Sequence, residues 1–297
     1  MPAFAALLGC WILNAFWPLI GQDGLRCFSA ALFYHGAMAV GFLCFLPALL
    51  ARGRWRRALR PGVAGPLFLM SLLSGTGSLI YLLALRYTTA ANAAVMAQSE
   101  VLYSAILSTW MLGENVLAPQ GAASLMVLAG TGLIMAHDLG SLRWKGDLMI
   151  VLTPWMFQIS HVIAKRLPKD LDPILVSGGR LFFSLFALAP FSLWALRHGP
   201  NWSWSAPALR VLVWQGVFMN ALSVFFWYGA IRRIDLSKAT AFLLSYPALT
   251  MLLSWCLGRE RIAVAQLGGL AITMVGAYWL SRLARAPRGS SGTVRTT

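Results

Sequence analysis

Residues 96–110 read MAQSEVLYSAILSTW, inside an apolar stretch that runs from about residue 89 to residue 112. At 59% hydrophobic and only 11% charged residues, with a mean hydropathy of +0.69, the chain is far poorer in charge than a soluble domain. The stretch therefore reads as a membrane-spanning helix, and Glu100 stands in its middle. A carboxylate at bilayer depth costs roughly 2.5–3.5 kcal/mol on insertion scales, so it marks a place where the helix faces something other than lipid.

Working outward, charges and Gly/Pro clusters divide the chain into ten candidate spans, near residues 3–21, 28–51, 63–85, 89–112, 116–136, 146–165, 172–197, 207–231, 236–257 and 261–283. The predicted class is an all-α integral membrane protein with little left over for a soluble domain. The net charge of +15 sits in arginines between and after apolar runs, which points to a membrane surface and away from nucleic acid. If the N-terminus is cytoplasmic, inside segments collect fifteen Lys and Arg residues, at 52, 54, 56, 57, 60, 165, 166, 169, 232, 233, 238, 282, 285, 288 and 295. Outside segments collect eight, at 26, 86, 143, 145, 197, 210, 259 and 261, so both termini are expected inside a cell (inner) membrane. Cys10, Cys27, Cys44 and Cys256 are scattered without a CxxC pair, suggesting neither a disulfide framework nor a zinc site. The first apolar run lacks a basic start and is read as a retained span. The polar tail, residues 285–297, is expected to be disordered and cytoplasmic.

Offsetting the chain against itself by 146 residues aligns Ala84 with Ala230, Ser99 with Ser245, Glu114 with Glu260, Gln120 with Gln266 and Gly130 with Gly276. Loop punctuation agrees as well: LGEN at 112–115 and LGRE at 257–260 each close one span and open the next. Two copies of five spans, residues 3–136 and 146–284, must lie in opposite orientations because five is odd. Inverted repeats of this kind place a substrate site near the midplane and work by rocking of the halves.

The stretches YLLALRYTTAANAAV (81–95), LGE (112–114), GDLMIVLTPWMFQISHVIAKRL (146–167) and AIRRIDLSKATAFLLSYP (230–247) resemble the EamA-type members of the drug/metabolite transporter superfamily. The resemblance covers about residues 3–284. It implies ten helices in two inverted five-helix repeats, both termini cytoplasmic, and export of amino acids, other small metabolites or toxic compounds. That family's fourth helix usually carries Pro after its acidic or polar position. Here Val101 follows Glu100 whereas Pro247 follows Tyr246, so a helix break is expected in the second copy and not in the first. The family's Arg ten residues before Pro is met by Arg180 and Pro190; in the second helix Pro47 is matched by Ala37, with His35 two residues away.

Glu100, Tyr103, Ser104, Leu107 and Ser108 fall on one helix face, extended backwards by Met96 and Asn92. That face is expected either to line a central cavity, with Glu100 taking a substrate amine or a coupling proton, or to lie in a helix seam. Arg180 is the one deep basic residue and is expected to pair with Glu100 or snorkel to the cytoplasmic side, ahead of binding substrate. Pro154, Trp155, Gln158, His161 and Lys165 mark a face of the sixth span; Trp155 and Gln158 suit a ligand wall. Trp17, Tyr81, Gln215 and Tyr246 complete the cavity candidates, while Trp55, Trp202 and Trp204 are assigned to the interfacial belt. Ser71, Ser74, Gly75 and Ser78 form a small-residue stripe suited to close helix packing. An integral-membrane enzyme is disfavoured because His35, His137, His161 and His198 are isolated and no cofactor motif occurs. Carriage of a lipid or nucleotide-sugar, and a homodimer through Gly-rich faces, stay open.

Overall fold

In the computed structural model, residues 2–84, 87, 96–135, 144–198, 205–258 and 264–285 are described. They form helices α1 (Ala3–Cys27), α2 (Ala30–Leu50), α3 (Arg54–Ala58), α4 (Pro61–Ala84), α5 (Glu100–Leu112), α6 (Ala118–Met135), α7 (Trp144–Arg166) and α8 (Pro173–His198). There follow α9 (Ala206–Trp214), a π-helical segment (Gln215–Ser223), α10 (Val224–Ile231), α11 (Leu236–Leu243), α12 (Tyr246–Cys256) and α13 (Val264–Arg285). No strand occurs among the described residues. Seven helices are long and apolar enough to cross a membrane, counting Ala206–Ile231 and Leu236–Leu253 as one each. The chain is a multi-pass membrane protein.

Its surface is inverted relative to a soluble protein. Trp110, Leu125, Phe186, Trp194 and Tyr278 are exposed, while Ser71, Ser74, Gln158, Arg180 and Asn220 are buried. Lipid solvates apolar side chains without cost, so the polar groups collect inside.

Two boundaries differ from the expected ones for local reasons. The first helix continues past residue 21 to Cys27, because Gly21, Gln22 and Asp23 include no Pro and Asp23 pairs with Arg26 one turn on, at 3.7 Å. It stops only at Phe28, and Ser29 then caps α2 by accepting from the Leu32 amide at 3.4 Å. The short α3 was not anticipated; its Trp55 packs edge-on against Phe182, with ring centroids 4.4 Å apart, and also against Phe42. Both LG turns behave as expected: Gly113 and Gly258 end α5 and α12 in the left-handed region, at φ 65° and 67°.

The largest helix contacts form a reciprocal set. α4 packs on α7 as α10 and the π-segment pack on α1; α4 meets α8 as the π-segment meets α2; α5 meets α7 as α12 meets α1; α2 packs on α8 and α6 on α13. At the last of these seams a Cβ on Gly130 would lie 2.6 Å from the Thr273 amide nitrogen and 2.7 Å from the Gly269 carbonyl oxygen. Reciprocally, a Cβ on Gly276 would lie 3.1 Å from the Ala123 carbonyl oxygen and 3.0 Å from Val127. Asn92, His137, Trp202, Trp204, Arg86, Glu260 and the tail 286–297 lie outside the described residues.

Candidate functional site

Two broken helices build the site. At the end of residues 96–97 the helix tightens into a turn at Gln98 and Ser99, with the Ser99 amide bonding Met96 O at 3.1 Å and the Val101 amide bonding Gln98 O at 3.1 Å, and α5 then restarts at Glu100. Between α11 and α12 the same turn occurs at Leu244 and Ser245, the Ser245 amide bonding Phe242 O at 3.2 Å, and α12 restarts at Tyr246. The break expected only where Pro247 stands is thus present in both copies. Proline is sufficient for such a break and not necessary: i to i+3 bonds replace the lost helical ones at Gln98 and Ser99. The restart also places the Glu100 carboxylate in the first turn of α5, where the helix dipole favours negative charge.

The Glu100 carboxylate accepts from Gln158 Nε2 at 2.7 Å, and Gln158 Nε2 also reaches Thr240 Oγ1 at 3.4 Å. Glu100 lies within electrostatic reach of Tyr81 and Tyr246, and Tyr81 stacks edge-on against Trp17 with ring centroids 5.6 Å apart. Trp17, Tyr81, Glu100, Gln158 and Tyr246 are therefore brought together from five different helices. Glu100, Tyr81 and Tyr246 each keep partial accessible surface.

One turn along α7 from Gln158, His161 belongs to a second group. Trp227 Nε1 donates to His161 Nδ1 at 3.1 Å, the two rings meeting at 5.0 Å, and His161 also contacts Tyr228 at 6.3 Å. Arg180 lies over the Tyr228 ring, 5.9 Å from its centroid, and donates from Nε to Ser74 Oγ at 3.0 Å. Ser71 Oγ donates to the Arg180 carbonyl oxygen at 2.7 Å, so the small-residue stripe of α4 holds α8 by backbone contact. Glu100 and Arg180 do not pair: Glu100 takes Gln158 and Arg180 takes Ser74. Arg180, 8% exposed, does not snorkel out of the bundle.

The remaining candidates lie elsewhere. Tyr103 packs edge-on against Trp155 at 5.6 Å, and Trp155 is 38% exposed, at the lateral surface. Gln215 is buried at the start of the π-segment, beside Gly216, whose Cα sits against α2 so tightly that a Cβ would lie 2.9 Å from the Ala37 carbonyl oxygen. It makes no contact with the Glu100 group. Sequence reasoning missed Thr240 and Tyr228 as members of these clusters and placed Ser74 only in a small-residue stripe, since a lone hydroxyl on an apolar helix does not reveal its partner.

At one end of the bundle, a residue read only as part of a turn ties several elements together. Glu114, immediately after Gly113, accepts from Lys165 Nζ at 2.5 Å and from the Leu236 and Ser237 amides at 2.9 and 3.2 Å. Lys165 donates in turn to the Ile234 carbonyl oxygen at 2.9 Å. The side chains are 7% and 9% exposed, so this is a buried ion pair seated on the N-terminus of α11, tying the α5–α6 turn to α7 and α11.

Known proteins agree with this architecture. The model of the EamA-like transporter family matches residues 1–136 and again residues 144–282. A protein of Archaeoglobus fulgidus named as an uncharacterized transporter is 22% identical over 248 residues, 80% of this chain and 84% of that one. The uncharacterized transporter YyaM of Bacillus subtilis is 24% identical over 70% of each chain. A protein of Pseudomonas aeruginosa carrying the name "Probable biotin transporter" is 24% identical over 55% of this chain and 58% of its own. A crystal structure superposes with a TM-score of 0.82 at 20% identity, covering 95% of this chain and 97% of the other, and so shares its fold. The chain belongs to the EamA-like transporter family of membrane transporters, within the drug/metabolite transporter superfamily.

Proposed function

We propose that this protein exports small amphipathic metabolites such as amino acids across the cell (inner) membrane, by alternating access between two inverted five-helix repeats. The observation that carries this reading is the reciprocal packing, in which the largest contacts between the halves have counterparts with the halves exchanged. At the α6–α13 seam the pairings run in opposite order, Gly130 with Thr273 and Gly276 with Val127, as two antiparallel copies about a two-fold axis require. The paired helix breaks at residues 98–99 and 244–245 support it further, since half-helices meeting near the midplane are the usual substrate site of inverted-repeat transporters. Ten spans with both termini cytoplasmic put the Glu114–Lys165 seal on the cytoplasmic side, so the conformer is closed toward the cytoplasm.

Within this reading, Trp17, Tyr81, Glu100, Gln158 and Tyr246 form one wall of the cavity, and Glu100 receives a substrate ammonium group or a coupling proton. Biotin, in the name of one relative, is a small amphipathic molecule of the same general kind. The test is counterflow in proteoliposomes of the purified full-length protein, with a panel of amino acids and other small metabolites under imposed pH and substrate gradients. Accumulation of at least one panel member above empty liposomes is the expected result; no movement of any member under any gradient refutes the reading.

A further inference from the structure

Arg180 is a buried cation without a counter-charge. Its guanidinium donates from Nε to Ser74 and bonds the Tyr228 hydroxyl, and no carboxylate pairs with it among the described residues. Nor is its charge among those acting on Glu100. An uncompensated guanidinium at bilayer depth is costly, and buried charges are ordinarily paired. The two terminal nitrogens, which carry four N–H donors in a planar fork, are not among the fully enclosed atoms lacking a partner, so the 8% of Arg180 that remains accessible includes this fork. The end of the cation that lacks a counter-charge is the end that a solute can reach.

The surroundings are chosen for an anion in two further respects. Because His161 Nδ1 accepts from Trp227, a neutral His161 carries its proton on Nε2, leaving a second N–H donor within electrostatic reach of Arg180. On Arg180's own helix face, at i−3 and i+4, the hydroxyls of Ser177 and Ser184 are buried and without a hydrogen-bond partner among the described residues. Buried orphan hydroxyls call for a physical reason, and here two flank one cation that lacks a counter-charge.

We propose that Arg180 is the anion subsite of the transport cavity and that the transported molecule carries a carboxylate, bound by the Arg180 fork with His161 Nε2–H as a further donor. This rests on the exporter reading above and extends it: Glu100 is bonded to Gln158 and Arg180 acts on His161, one turn along α7, so that an ammonium and a carboxylate on one small molecule are each met by the opposite charge. Guanidinium and carboxylate match in planar two-point geometry, which an ammonium or an amide group does not reproduce.

The experiment is competition counterflow in proteoliposomes of the full-length protein, using matched sets such as L-phenylalanine, L-phenylalaninamide and phenethylamine, and the corresponding leucine and glutamine derivatives. The carboxylates should outcompete their amides by about tenfold or more, the loss expected when a charge-assisted pair is removed. Arg180→Gln should abolish that preference so that acid and amide compete equally. Equal competition by acid and amide in the unmodified protein overturns the proposal while leaving the transporter reading intact, and requires no variant that could fail to fold. Retention of the acid preference in Arg180→Gln also overturns it. Movement of no compound at all rejects both.

Discussion

Removing the Glu114 carboxylate should open the closed end of the protein. Its oxygens receive the Lys165 ammonium, two backbone amides at the start of α11 and, at 3.4 Å, the Ser237 hydroxyl, all at side chains less than a tenth exposed. Deleting one member of a buried ion pair typically costs about 3–5 kcal/mol, because the partner's charge is left uncompensated in a low-dielectric place. Here Glu114→Ala strands Lys165 and two N-terminal amides of α11 together. When the end is open, water solvates all of these groups, so the loss falls almost wholly on the sealed arrangement. Even the lower figure, about 3 kcal/mol, shifts the ratio of sealed to open by on the order of a hundredfold. The assay is thiol labelling of a Thr240→Cys reporter, placed one turn beyond Leu236 and beside Gln158, in a background with Cys10, Cys27, Cys44 and Cys256 replaced by Ser. A membrane-impermeant reagent applied from the Glu114 side should label the Glu114→Ala protein many times faster than its parent, and Glu114→Asp should lie between them. Equal labelling rates with and without the carboxylate would refute the idea that this pair closes the cavity.

Four further outcomes follow from the geometry. Glu100→Gln keeps a hydrogen-bonding side chain opposite Gln158 but removes the charge, and should cut transport of amine-bearing substrates about tenfold or more without loss of folded protein, checked by counterflow and gel filtration. Gly130→Val sets a side chain against the backbone of Thr273 and Gly269, which cannot move aside, and should destabilise the protein by about 1–3 kcal/mol or more; Gly276→Val should do likewise, both read as lowered melting temperatures in detergent. Trp227→Phe keeps the ring against His161 but removes the Nε1 donor, and should cost about 1 kcal/mol in stability while weakening competition by carboxylates. Ser245→Ala removes the acceptor of Trp11 Nε1, a bond of 2.9 Å, and should lower the melting temperature by a similar stability loss, whereas exposed Ser-to-Ala changes should be neutral.

Much of this protein was legible in its sequence. Long apolar runs fix helices because only helices satisfy their own backbone in lipid, and Glu100 and Arg180 announced themselves because a charge at bilayer depth is expensive. The offset of 146 residues and the two LG turns pointed to a repeat, and at both turns the glycine follows the end of a helix, in the left-handed region. Tertiary structure alone decided the rest. Glu100 and Arg180, the two deep charges, do not meet, since pairing depends on which helices share a seam, and spacing along one helix says nothing about that. The break at Gln98–Ser99 had no proline to mark it. Glu114 looked like loop punctuation and is a buried clamp, because its partners Lys165, Leu236 and Ser237 lie 51, 122 and 123 residues away in the chain. Periodicity reports which face of a helix is polar; only the packing of helices decides what that face meets.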